Sequence, residues 1–454
     1  MPVSSAGGEV NKMDLFAKIK QKKAKIGVIG LGYVGLPTAV EFAKAGFYVL
    51  GFDKNKELVA NINKSRSHIK DIADDDIWLV TQRGRLKATT NVSQLALVDA
   101  ILVCVPTPLG KNKQPDISFI TEAAADIKKY IKKETLIVLE STTYPGTTEE
   151  ILKPKIEEKG FKIGQDFYLA FSPERYDPGR KDYTITKVPK VVGGVTKKCT
   201  QLTSLLYSYM VDKVVPVSSP KVAETCKLLE NIFRIVNISM INELALICDR
   251  LGIDVWEVIE AAATKPYGYM PFYPGPGVGG HCIPLDPFYL SWKAKEYNFY
   301  ARFIELSGEI NDLMPHHVVT KVTYALNKHK KAINGSKILA IGASYKKDIG
   351  DTRESPAIKV LQILAHKGAR LSLHDPYIKK LEISKDPYRP LEKIEPFKIQ
   401  SVDLSEKAIK EADCVLILTD HSVVDYQLIA KNAKAIVDTR NAIKDRKLKN
   451  VFWL

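Results

Sequence analysis

The sequence predicts an α/β protein in which two doubly wound parallel sheets are joined by a long central helix. Short apolar runs alternate with helical stretches over residues 25–217, and this alternation resumes near Lys337. Between the two regions lies a helical pattern from Lys221 to Leu251, which Gly252 ends. A chain of 454 residues also exceeds the usual size of one domain. We therefore expect three parts, which comprise residues 1–217, 218–333 and 334–454.

Each sheet is predicted from short β-branched runs of the kind that form buried parallel strands. In the first half we expect a helix at Leu36–Ala45 and strands at Lys25–Ile29, Tyr48–Phe52, Ala100–Val105 and Thr135–Leu139. In the second half we expect a helix at Pro356–Lys367 and strands at Ile338–Ile341, Arg370–His374, Val415–Thr419 and Ala435–Asp438. Because helical segments separate the strands, neighbouring strands should run parallel.

The central helix is predicted to be long and apolar on nearly every side. At about 1.5 Å per residue it would span roughly 45 Å. Its apolar positions include Leu228, Leu229, Ile232, Phe233, Ile235, Val236, Ile238 and Ile241. A helix that is apolar all round is usually buried, which favours a spine between the sheets and a subunit interface. We therefore expect a homodimer or a higher homo-oligomer.

Composition excludes several classes of protein. The formal net charge is +15, but the lysines are spread over the chain without a basic, aromatic-interleaved patch, which argues against nucleic-acid binding. The six cysteines form no CxxC pair, which indicates a reducing, cytoplasmic compartment. The first 25 residues contain no apolar core of signal-peptide length, and no apolar stretch approaches the ~20 residues of a membrane span. We expect no metal site.

A glycine-rich turn follows the first predicted strand. Gly30, Gly32 and Gly35 form the pattern GxGxxG, and Asp53 ends the next strand, 18 residues after Gly35. In this context the pattern predicts a Rossmann-like dinucleotide site, with phosphates at the helix N-terminus. The Asp53 carboxylate can accept bonds from ribose hydroxyls and would repel a 2′-phosphate. The cofactor is therefore predicted to be NAD rather than NADP.

The segment GGHCIPLD at residues 279–286 is the strongest candidate for a catalytic centre. Its glycines allow close approach to a ligand, and Pro284 suits the first turn of a helix. Cys282 would then lie at a helix N-terminus, which favours the thiolate, and Asp286 would lie on the same face. On the central helix, Lys227 and Asn231 are one turn apart, and a lysine in an apolar helix is costly unless paired or functional.

Taken together, these motifs make the chain resemble the UDP-glucose/UDP-N-acetylhexosamine 6-dehydrogenase family. The resemblance extends from about Lys25 to Arg440, and several of its stretches are specific to this family. The matching stretches are GLGYVGLP at 30–37, CVPTP at 104–108, EST at 140–142, SPER at 172–175, AETCKLLENIFR at 223–234, GGHCIPLDP at 279–287 and YKKDIGDTRESP at 345–356.

The resemblance implies two successive oxidations of a sugar hydroxymethyl group without release of the aldehyde. It implies that Cys282 is the nucleophile, and that Lys227 and Asn231 stabilise the developing oxyanion. It implies that Asp286 lies near Lys227 and a chain of waters. By the same resemblance Glu174 assists hydrolysis of the thioester, and Thr142 holds a catalytic water.

The resemblance also implies ligand contacts, with the nucleotide held mainly by the C-terminal domain. The expected NAD contacts are Gly30, Leu31, Gly32, Tyr33, Val34, Gly35, Asp53, Val105, Thr107, Ser141, Thr142 and Arg353. The expected substrate contacts are Glu174, Arg175, Lys227, Asn231, Arg234, Tyr273, Gly277, His281, Tyr345, Lys346 and Arg440. For Arg353 the alternative is a salt bridge to Asp351 or Glu354.

The identity of the sugar is predicted from departures within these motifs. UDP-glucose dehydrogenases usually carry Gly-Gly-Ser-Cys, whereas this chain has His281 before the cysteine, together with Arg175 and Arg234. These residues and the segment 265–277 favour UDP-N-acetylglucosamine. UDP-N-acetylmannosamine and UDP-glucose are the alternatives within the family. A sugar-nucleotide epimerase or a non-catalytic nucleotide-sugar-binding protein are alternatives from other classes, but neither would need the thiol of Cys282.

Overall fold

A computed structural model of the chain describes residues 13–69, 72–110, 114–176, 184–280, 282–383 and 396–454. Within these residues the chain forms two compact units. The first unit comprises residues 13–110 and 115–228, and the second comprises residue 114 and residues 229–454. Each unit is built around its own mainly parallel sheet with apolar clusters on both faces, so the predicted α/β fold class is confirmed.

The sheet of the first unit has eight strands. They are β1 (Lys25–Ile29), β2 (Tyr48–Phe52), β3 (Leu86–Thr89), β4 (Ala100–Val103), β5 (Thr135–Leu139), β6 (Phe167–Phe171), β7 (Lys190–Gly194) and β8 (Val214–Val217). Their order is β3-β2-β1-β4-β5-β6-β7-β8, and each neighbouring pair is parallel except β6 and β7. The chain order reverses between β1 and β4, where ligands bind outside the carboxyl ends of the strands in such folds.

Helices cover both faces of this sheet. They are α1 (Leu15–Lys20), α2 (Gly35–Lys44), α3 (Lys56–Asn63), α4 (Asp74–Gln82), α5 (Ser118–Tyr130), α6 (Lys153–Glu157) and α7 (Lys197–Tyr207). A 3₁₀ segment at Val92–Leu97 and a π-helical turn at Thr148–Leu152 complete the set. Strand β5 is buried at every residue, which explains why its sequence is continuously apolar rather than alternating.

The long helix α8 (Pro220–Leu251) crosses the division between the two units. It ends at Gly252, whose φ of +68° suits glycine in the left-handed region. The expectation that the helix is buried all round is wrong for a single chain, because Leu229 is 62% exposed and Phe233 is 49% exposed. An apolar pattern cannot distinguish a side covered by the same chain from a side left open to another molecule.

Helix α8 bears on the prediction that the chain has no membrane span. It is the one helix in the described part of the chain that is long and apolar enough to cross a membrane by length and composition, although less than half of its most apolar stretch is buried. Core helices of other proteins pass the same test, so length and composition do not decide the question. The expected absence of a membrane span remains a prediction.

The sheet of the second unit has five parallel strands in the order β10-β9-β13-β14-β15. The strands are β9 (Lys337–Ile341), β10 (Arg370–His374), β13 (Cys414–Ile417), β14 (Ile436–Asp438) and β15 (Val451–Trp453), with β11 (Lys380–Ile383) and β12 (Phe397–Gln400) as a separate antiparallel pair. The helices are α9 (Val255–Ala263), α10 (Asp286–Lys295), α11 (Arg302–Lys328), α12 (Pro356–His366), α13 (Glu406–Glu411) and α14 (Tyr426–Asn432).

Both sheets share one arrangement at the end of their first strand. In the first unit β1 leads into Gly30, and the backbone amide of Leu31 donates to Asp53, which follows β2. In the second unit β9 leads into Gly342, and the amide of Ala343 donates to Asp375, which follows β10. Gly30 and Gly342 have nearly the same positive φ, +87° and +85°.

Most predicted elements match the structure within one or two residues. Strand β4 shows the largest difference in the first unit, because it ends at Val103 rather than at Val105. The carbonyl of Val103 accepts bonds from Glu140 and Ser141, and the prolines at 106 and 108 have no amide hydrogen to continue the ladder. The three-part division of the chain remains a prediction.

Candidate active site

The glycine turn after β1 has the shape that a dinucleotide site requires. A Cβ on Gly30 would lie 2.5 Å from the carbonyl oxygen of Cys104, and a Cβ on Gly35 would lie 1.8 Å from that of Gly30. These two positions therefore admit only glycine. A Cβ on Gly32, by contrast, would meet no described heavy atom within 4 Å, so its backbone borders open space. This open backbone is where a pyrophosphate can approach.

Asp53 is held beside this turn with acceptor capacity left over. Its Oδ2 accepts from the amide of Leu31 and its Oδ1 from the amide of Asn55, both at 2.9 Å. A carboxylate offers about four lone-pair sites, so about two remain for ribose hydroxyls. Within the described residues, no side chain caps the N-terminus of α2, which leaves amide donors for phosphates. The turn, helix and carboxylate therefore fit NAD.

His68 lies beside the same turn, and sequence reasoning missed it because no motif includes it. Burial lowers the pKa of His68, although the charge of Asp53 and a hydrogen bond with the Leu31 backbone oppose this effect. Among the predicted contacts, the Leu31 side chain is fully buried while Tyr33 is exposed. Leu31 can therefore meet a cofactor only through its backbone.

The loops that follow β4 and β5 are joined by a hydrogen bond. The hydroxyl of Ser141 donates to the carbonyl of Val105 at 2.8 Å. Thr107 and Ser141 are buried, and Val105 and Thr142 are half-buried. Because both strands end at the same edge of a parallel sheet, these predicted contacts lie on two adjacent loops at the carboxyl edge of the sheet. Their roles toward NAD and water remain predictions.

Glu174 belongs to a buried group of charges in the first unit. Its Oε1 accepts from the amides of Arg175 and Tyr176, at 2.8 and 2.6 Å. Its Oε2 accepts from the ammonium of Lys190 at 2.9 Å. The Arg175 guanidinium donates to the carbonyl of Pro189 at 2.8 Å, next to the start of β7. Arg175 thus anchors the loop that carries Glu174, and its expected contact with the substrate remains a prediction.

Cys282 lies in a turn that leads into α10. Its carbonyl accepts from the amides of Leu285 and Asp286, at 3.1 and 2.8 Å. Helix α10 begins at Asp286 with Pro287 in its first turn, so the expectation that Pro284 occupies the first turn is wrong. The sequence offers two prolines three residues apart, and the helix starts beside the second. Cys282 therefore lies one turn before the helix N-terminus, is half-buried and forms no disulfide.

The glycines before Cys282 pack tightly within the second unit. A Cβ on Gly279 would lie 2.7 Å from the Cβ of Tyr345. Gly280 has φ +96°, and its amide donates to the carbonyl of Arg353 at 3.1 Å. The Cys282 turn is thus held against the loop after β9, which carries the predicted substrate contacts Tyr345 and Lys346. His281 lies outside the described residues.

Asn231 and Asp286 connect α8 to the Cys282 turn. The Asn231 amide donates to the Asp286 carboxylate at 2.6 Å, and both side chains are buried. Lys227 lies one turn before Asn231 on α8, and its side chain is also buried. Arg234 is exposed on the same helix. The expected proximity of Asp286 to Lys227 and to a water chain remains a prediction.

The segment before the Cys282 turn contacts Arg440. A Cβ on Gly275 would lie 2.6 Å from an Nη of Arg440, whose Nε donates to the carbonyl of Leu418 at 2.9 Å. Gly277 has φ +123°, which requires glycine, and the exposed Tyr273 stacks on Trp256. Glycine at 275 and 277 therefore makes room for the guanidinium and for the loop itself.

A polar chain that sequence reasoning missed holds this loop on the helices. Asn242 accepts from the amide of Gly275 at 3.0 Å and donates to Asn311 at 2.9 Å. Asn311 in turn donates to the hydroxyl of Ser239 at 2.6 Å. All these side chains are buried, and amides within apolar helical stretches were the signal that could have found them.

Arg353 forms the salt bridge that was the alternative to a cofactor contact. Its Nη2 lies 2.6 Å from Oδ2 of Asp351, and its Nε lies 3.1 Å from both carboxylate oxygens. The contact to NAD remains a prediction. In the described part of the chain, no group of three or more His, Cys, Asp or Glu side chains is arranged to hold a metal ion.

Comparison with protein families matches nearly the whole chain to one family in three consecutive domains. Residues 24–211 match the NAD binding domain of the UDP-glucose/GDP-mannose dehydrogenase family. Residues 221–313 match its central domain, and residues 339–445 match its UDP binding domain.

Individual relatives agree on the chemistry but differ in the sugar. A UDP-N-acetyl-D-glucosamine 6-dehydrogenase of Pseudomonas aeruginosa is 37% identical over 359 residues, which cover 79% of this chain and 84% of that protein. An NDP-N-acetyl-D-galactosaminuronic acid dehydrogenase of Ralstonia nicotianae is 37% identical over 91% of this chain and 95% of its own length. The solved UDP-D-ManNAc dehydrogenase of Pyrococcus horikoshii superposes with a TM-score of 0.84 at 33% identity, covering 94% of this chain and 98% of that one.

The glycine turn with its open backbone and free carboxylate sites agrees with the NAD binding domain, and the matched UDP binding domain covers Tyr345, Lys346 and Arg440. The chain therefore belongs to the UDP-glucose/GDP-mannose dehydrogenase family and is an NAD-dependent UDP-sugar dehydrogenase.

Proposed function

We propose that this enzyme oxidises the C6 hydroxymethyl group of a UDP-N-acetylhexosamine to a carboxylate through a covalent intermediate on Cys282. The observation that carries the proposal is the bond from Asn231 to Asp286. It connects a buried polar position of α8 to the turn that contains Cys282. The turn that carries the thiol is thus connected through Asp286 to the Asn231 amide within the second unit, which supports nucleophilic catalysis with oxyanion stabilisation.

UDP-N-acetylglucosamine is our preferred substrate. The Pseudomonas relative acts on that sugar by its name, and His281, Arg175 and Arg234 distinguish this chain from the UDP-glucose pattern. UDP-N-acetylmannosamine is the first alternative, because dehydrogenases of that name from Pyrococcus horikoshii and Campylobacter jejuni are 35% and 38% identical. The Ralstonia relative is named for N-acetyl-D-galactosaminuronic acid, so UDP-N-acetylgalactosamine, the corresponding sugar with a C6 hydroxymethyl group, also belongs in the test.

Bound NAD supplies hydride acceptance in each of the two oxidations, four electrons in all. The Gly30–Gly35 turn, Asp53 and the loops after β4 and β5 would hold it. Cys282 acts between the two oxidations, when its thiolate adds to the aldehyde carbon and forms a thiohemiacetal. The second oxidation leaves a thioester, in which the sugar remains attached to the enzyme.

The remaining residues manage charge and protons. Lys227 and Asn231 stabilise the oxygen that becomes anionic when the hydroxyl is deprotonated and when the thiolate adds. Asp286 keeps the Asn231 amide in one orientation and accepts protons through water. Lys346 balances the charge of the diphosphate, with Tyr345 and Arg440 on the nucleotide side.

Hydrolysis then releases the product and restores the thiol. Thr142 holds the attacking water, and Glu174 assists its addition to the thioester carbonyl. One water is consumed, and the carbon–sulfur bond breaks as the carbon–oxygen bond forms. The sum is one alcohol, two NAD and one water converted to one carboxylate, two NADH and three protons.

The test is NADH formation with UDP-N-acetylglucosamine, UDP-N-acetylmannosamine, UDP-N-acetylgalactosamine and UDP-glucose in parallel. We expect the highest kcat/KM with UDP-N-acetylglucosamine and two NADH per sugar. A higher kcat/KM with UDP-glucose would refute the assignment to N-acetylated sugars. An epimerase would produce no net NADH, and a binding protein would produce none.

A further inference from the structure

The charges around Glu174 form a cluster of three side chains in the first unit. The Lys190 ammonium lies 3.1 Å from Oε2 of Glu140 and 2.9 Å from Oε2 of Glu174. The side chains are 4% exposed for Lys190, 0% for Glu140 and 13% for Glu174. Glu174 is therefore the most solvent-accessible member of the cluster, and Lys190 and Glu140 are more deeply buried.

The groups that face Glu174 come from three strands of one sheet and from a helix of the same unit. Lys190 opens β7, Glu140 follows β5, Cys104 follows β4 and Tyr207 ends α7. The Tyr207 hydroxyl donates to the second oxygen of Glu140, and the Lys190 ammonium lies 5.3 Å from the centre of the Tyr207 ring. One buried cation thus pairs with two carboxylates, and each carboxylate has a further donor on its other oxygen: the Tyr207 hydroxyl for Glu140, and the amides of Arg175 and Tyr176 for Glu174.

A buried charge cluster needs a reason beyond stability, because well-packed neutral side chains are often at least as stable at such positions. Glu140 and Tyr207 have no part in the proposed chemistry, whereas Glu174 does. Both oxygens of Glu174 are engaged, one by the amides of Arg175 and Tyr176 and the other by Lys190. The carboxylate is therefore held in a single orientation.

We propose that Lys190 is a positioning residue for thioester hydrolysis, which fixes the Glu174 carboxylate and balances its charge while Glu140 supports Lys190 from behind. This inference rests on the proposed function of Glu174. Lys190 touches neither substrate nor cofactor in this scheme and acts only through Glu174.

The charges in the cluster support this division of roles. Burial by itself raises the pKa of Glu174, but the charge and hydrogen bond of Lys190, together with the bonds from the amides of Tyr176 and Arg175, outweigh it and leave that pKa below its usual value. Burial also raises the pKa of Glu140, and there the lysine does not fully compensate. Lys190 and the two backbone amides therefore favour the ionised form of Glu174 more than Lys190 and Tyr207 favour that of the more deeply buried Glu140.

The test measures the pH dependence of thioester hydrolysis in single turnovers, after the two NADH have formed. The informative variant is Lys190→Met with Glu140→Gln, which removes the cation and its buried counter-charge together, so that no unpaired ion remains behind Glu174. We expect the acid limb of hydrolysis to move to higher pH by about one unit, because an opposite charge near a carboxylate shifts its pKa by about 1–3 units. Lys190→Arg alone keeps a cation beside Glu174 and should leave the acid limb at its wild-type pH.

Two further variants keep the result decisive. In Glu140→Gln alone, Lys190 remains and pairs with Glu174 only. The acid limb should therefore stay where it is or move to lower pH, opposite to the shift expected in the double variant. Lys18→Met breaks the ion pair of Lys18 with Asp99 in the same unit and should leave the limb unchanged. If the double variant slows hydrolysis equally at every pH, Lys190 is only structural and the inference is wrong.

Failure of the proposed function would look different from failure of this inference. If Glu174→Gln accumulates no adduct on Cys282, Glu174 has no part in hydrolysis and the proposed function is at fault. If that adduct accumulates but the Lys190 variants retain the wild-type acid limb, the proposed function stands and the role of Lys190 is refuted.

Discussion

Asn231 on α8 and Asp286 at the first position of α10 form a hydrogen bond of 2.6 Å between two buried side chains. Asp286 also donates its backbone amide to the carbonyl of Cys282. A change at Asn231 should therefore reach the Cys282 turn through Asp286.

Replacing Asn231 by Ala should lower both stability and turnover. The Asp286 carboxylate would lose a buried donor, which costs about 1–3 kcal/mol. The variants Asn231→Ala, Asp286→Asn and their combination, compared by denaturant unfolding and kcat, would measure the coupling. Additive effects on both measurements would mean that the hydrogen bond carries no coupling. As a control, Asn237→Ala removes another amide of α8, which within the described residues donates to the carbonyl of Phe233 on the same helix.

Replacing Cys282 by Ser should abolish turnover but spare ligand binding. NAD and UDP contacts are expected mainly on the glycine turn, Lys346 and Arg440, so calorimetric affinities should stay near those of the wild type. Turnover should fall by several orders of magnitude, because a hydroxyl is a far weaker nucleophile than a thiolate near neutral pH. Wild-type activity in Cys282→Ser would remove the covalent mechanism.

Glu174→Gln should stall the enzyme after both oxidations. The thioester should accumulate, and denatured mass spectrometry should show the chain heavier by the sugar nucleotide. The same adduct should be missing from a Glu174→Gln enzyme that also carries Cys282→Ala. An adduct that persists in the combined variant would lie on another residue.

Asp53→Asn should relax the preference for NAD over NADP. The amide oxygen can still accept from a backbone amide, while the charge that repels a 2′-phosphate is gone. We expect the ratio of kcat/KM for NAD and NADP to fall roughly tenfold, or about 1.4 kcal/mol. A wild-type enzyme that prefers NADP would contradict the cofactor role of Asp53. Asp99→Asn, in the same unit and away from the glycine turn, should leave the ratio unchanged.

The exposed apolar face of α8 should hold two copies of the chain together. Phe233→Glu would place a charge on that face and should shift the protein toward monomer in sedimentation at micromolar concentration. Trp78→Glu alters an exposed aromatic side chain on α4 and should leave the assembly unchanged. A wild-type chain that is monomeric under these conditions would contradict the predicted homodimer.

Much of the fold could be predicted because buried parallel strands have continuously apolar sequences. β1, β2, β5 and β10 begin and end where the sequence predicts. The start of α10 could not be predicted, since Pro284 and Pro287 suit a first turn equally well. The exposed side of α8 could not be predicted either, because an apolar residue looks the same whether its own chain or another molecule covers it.

The candidate site was predictable where a motif has a strict spacing and missed where it does not. Gly30, Asp53 and Cys282 stand in local patterns with a physical meaning. Lys190 could not be found in this way, because it looks like one more surface lysine in a lysine-rich chain. Its partner Glu140 is 50 residues away, and only the order of β5, β6 and β7 brings the two together.

The two similar turns of the sheets have a kinetic consequence. Asp375 accepts from the amides of Ala343, Tyr377 and Ile378 and from His421, so its four lone-pair sites are filled. Of these two aspartates, only Asp53 can still accept hydrogen bonds from a ribose, so the two turns together offer one cofactor site. If the oxidation removes four electrons, as we propose, the enzyme must exchange its nicotinamide halfway through each cycle. The proposed bond to Cys282 would keep the sugar on the enzyme during that exchange, and excess NADH should then trap the bound sugar rather than release it.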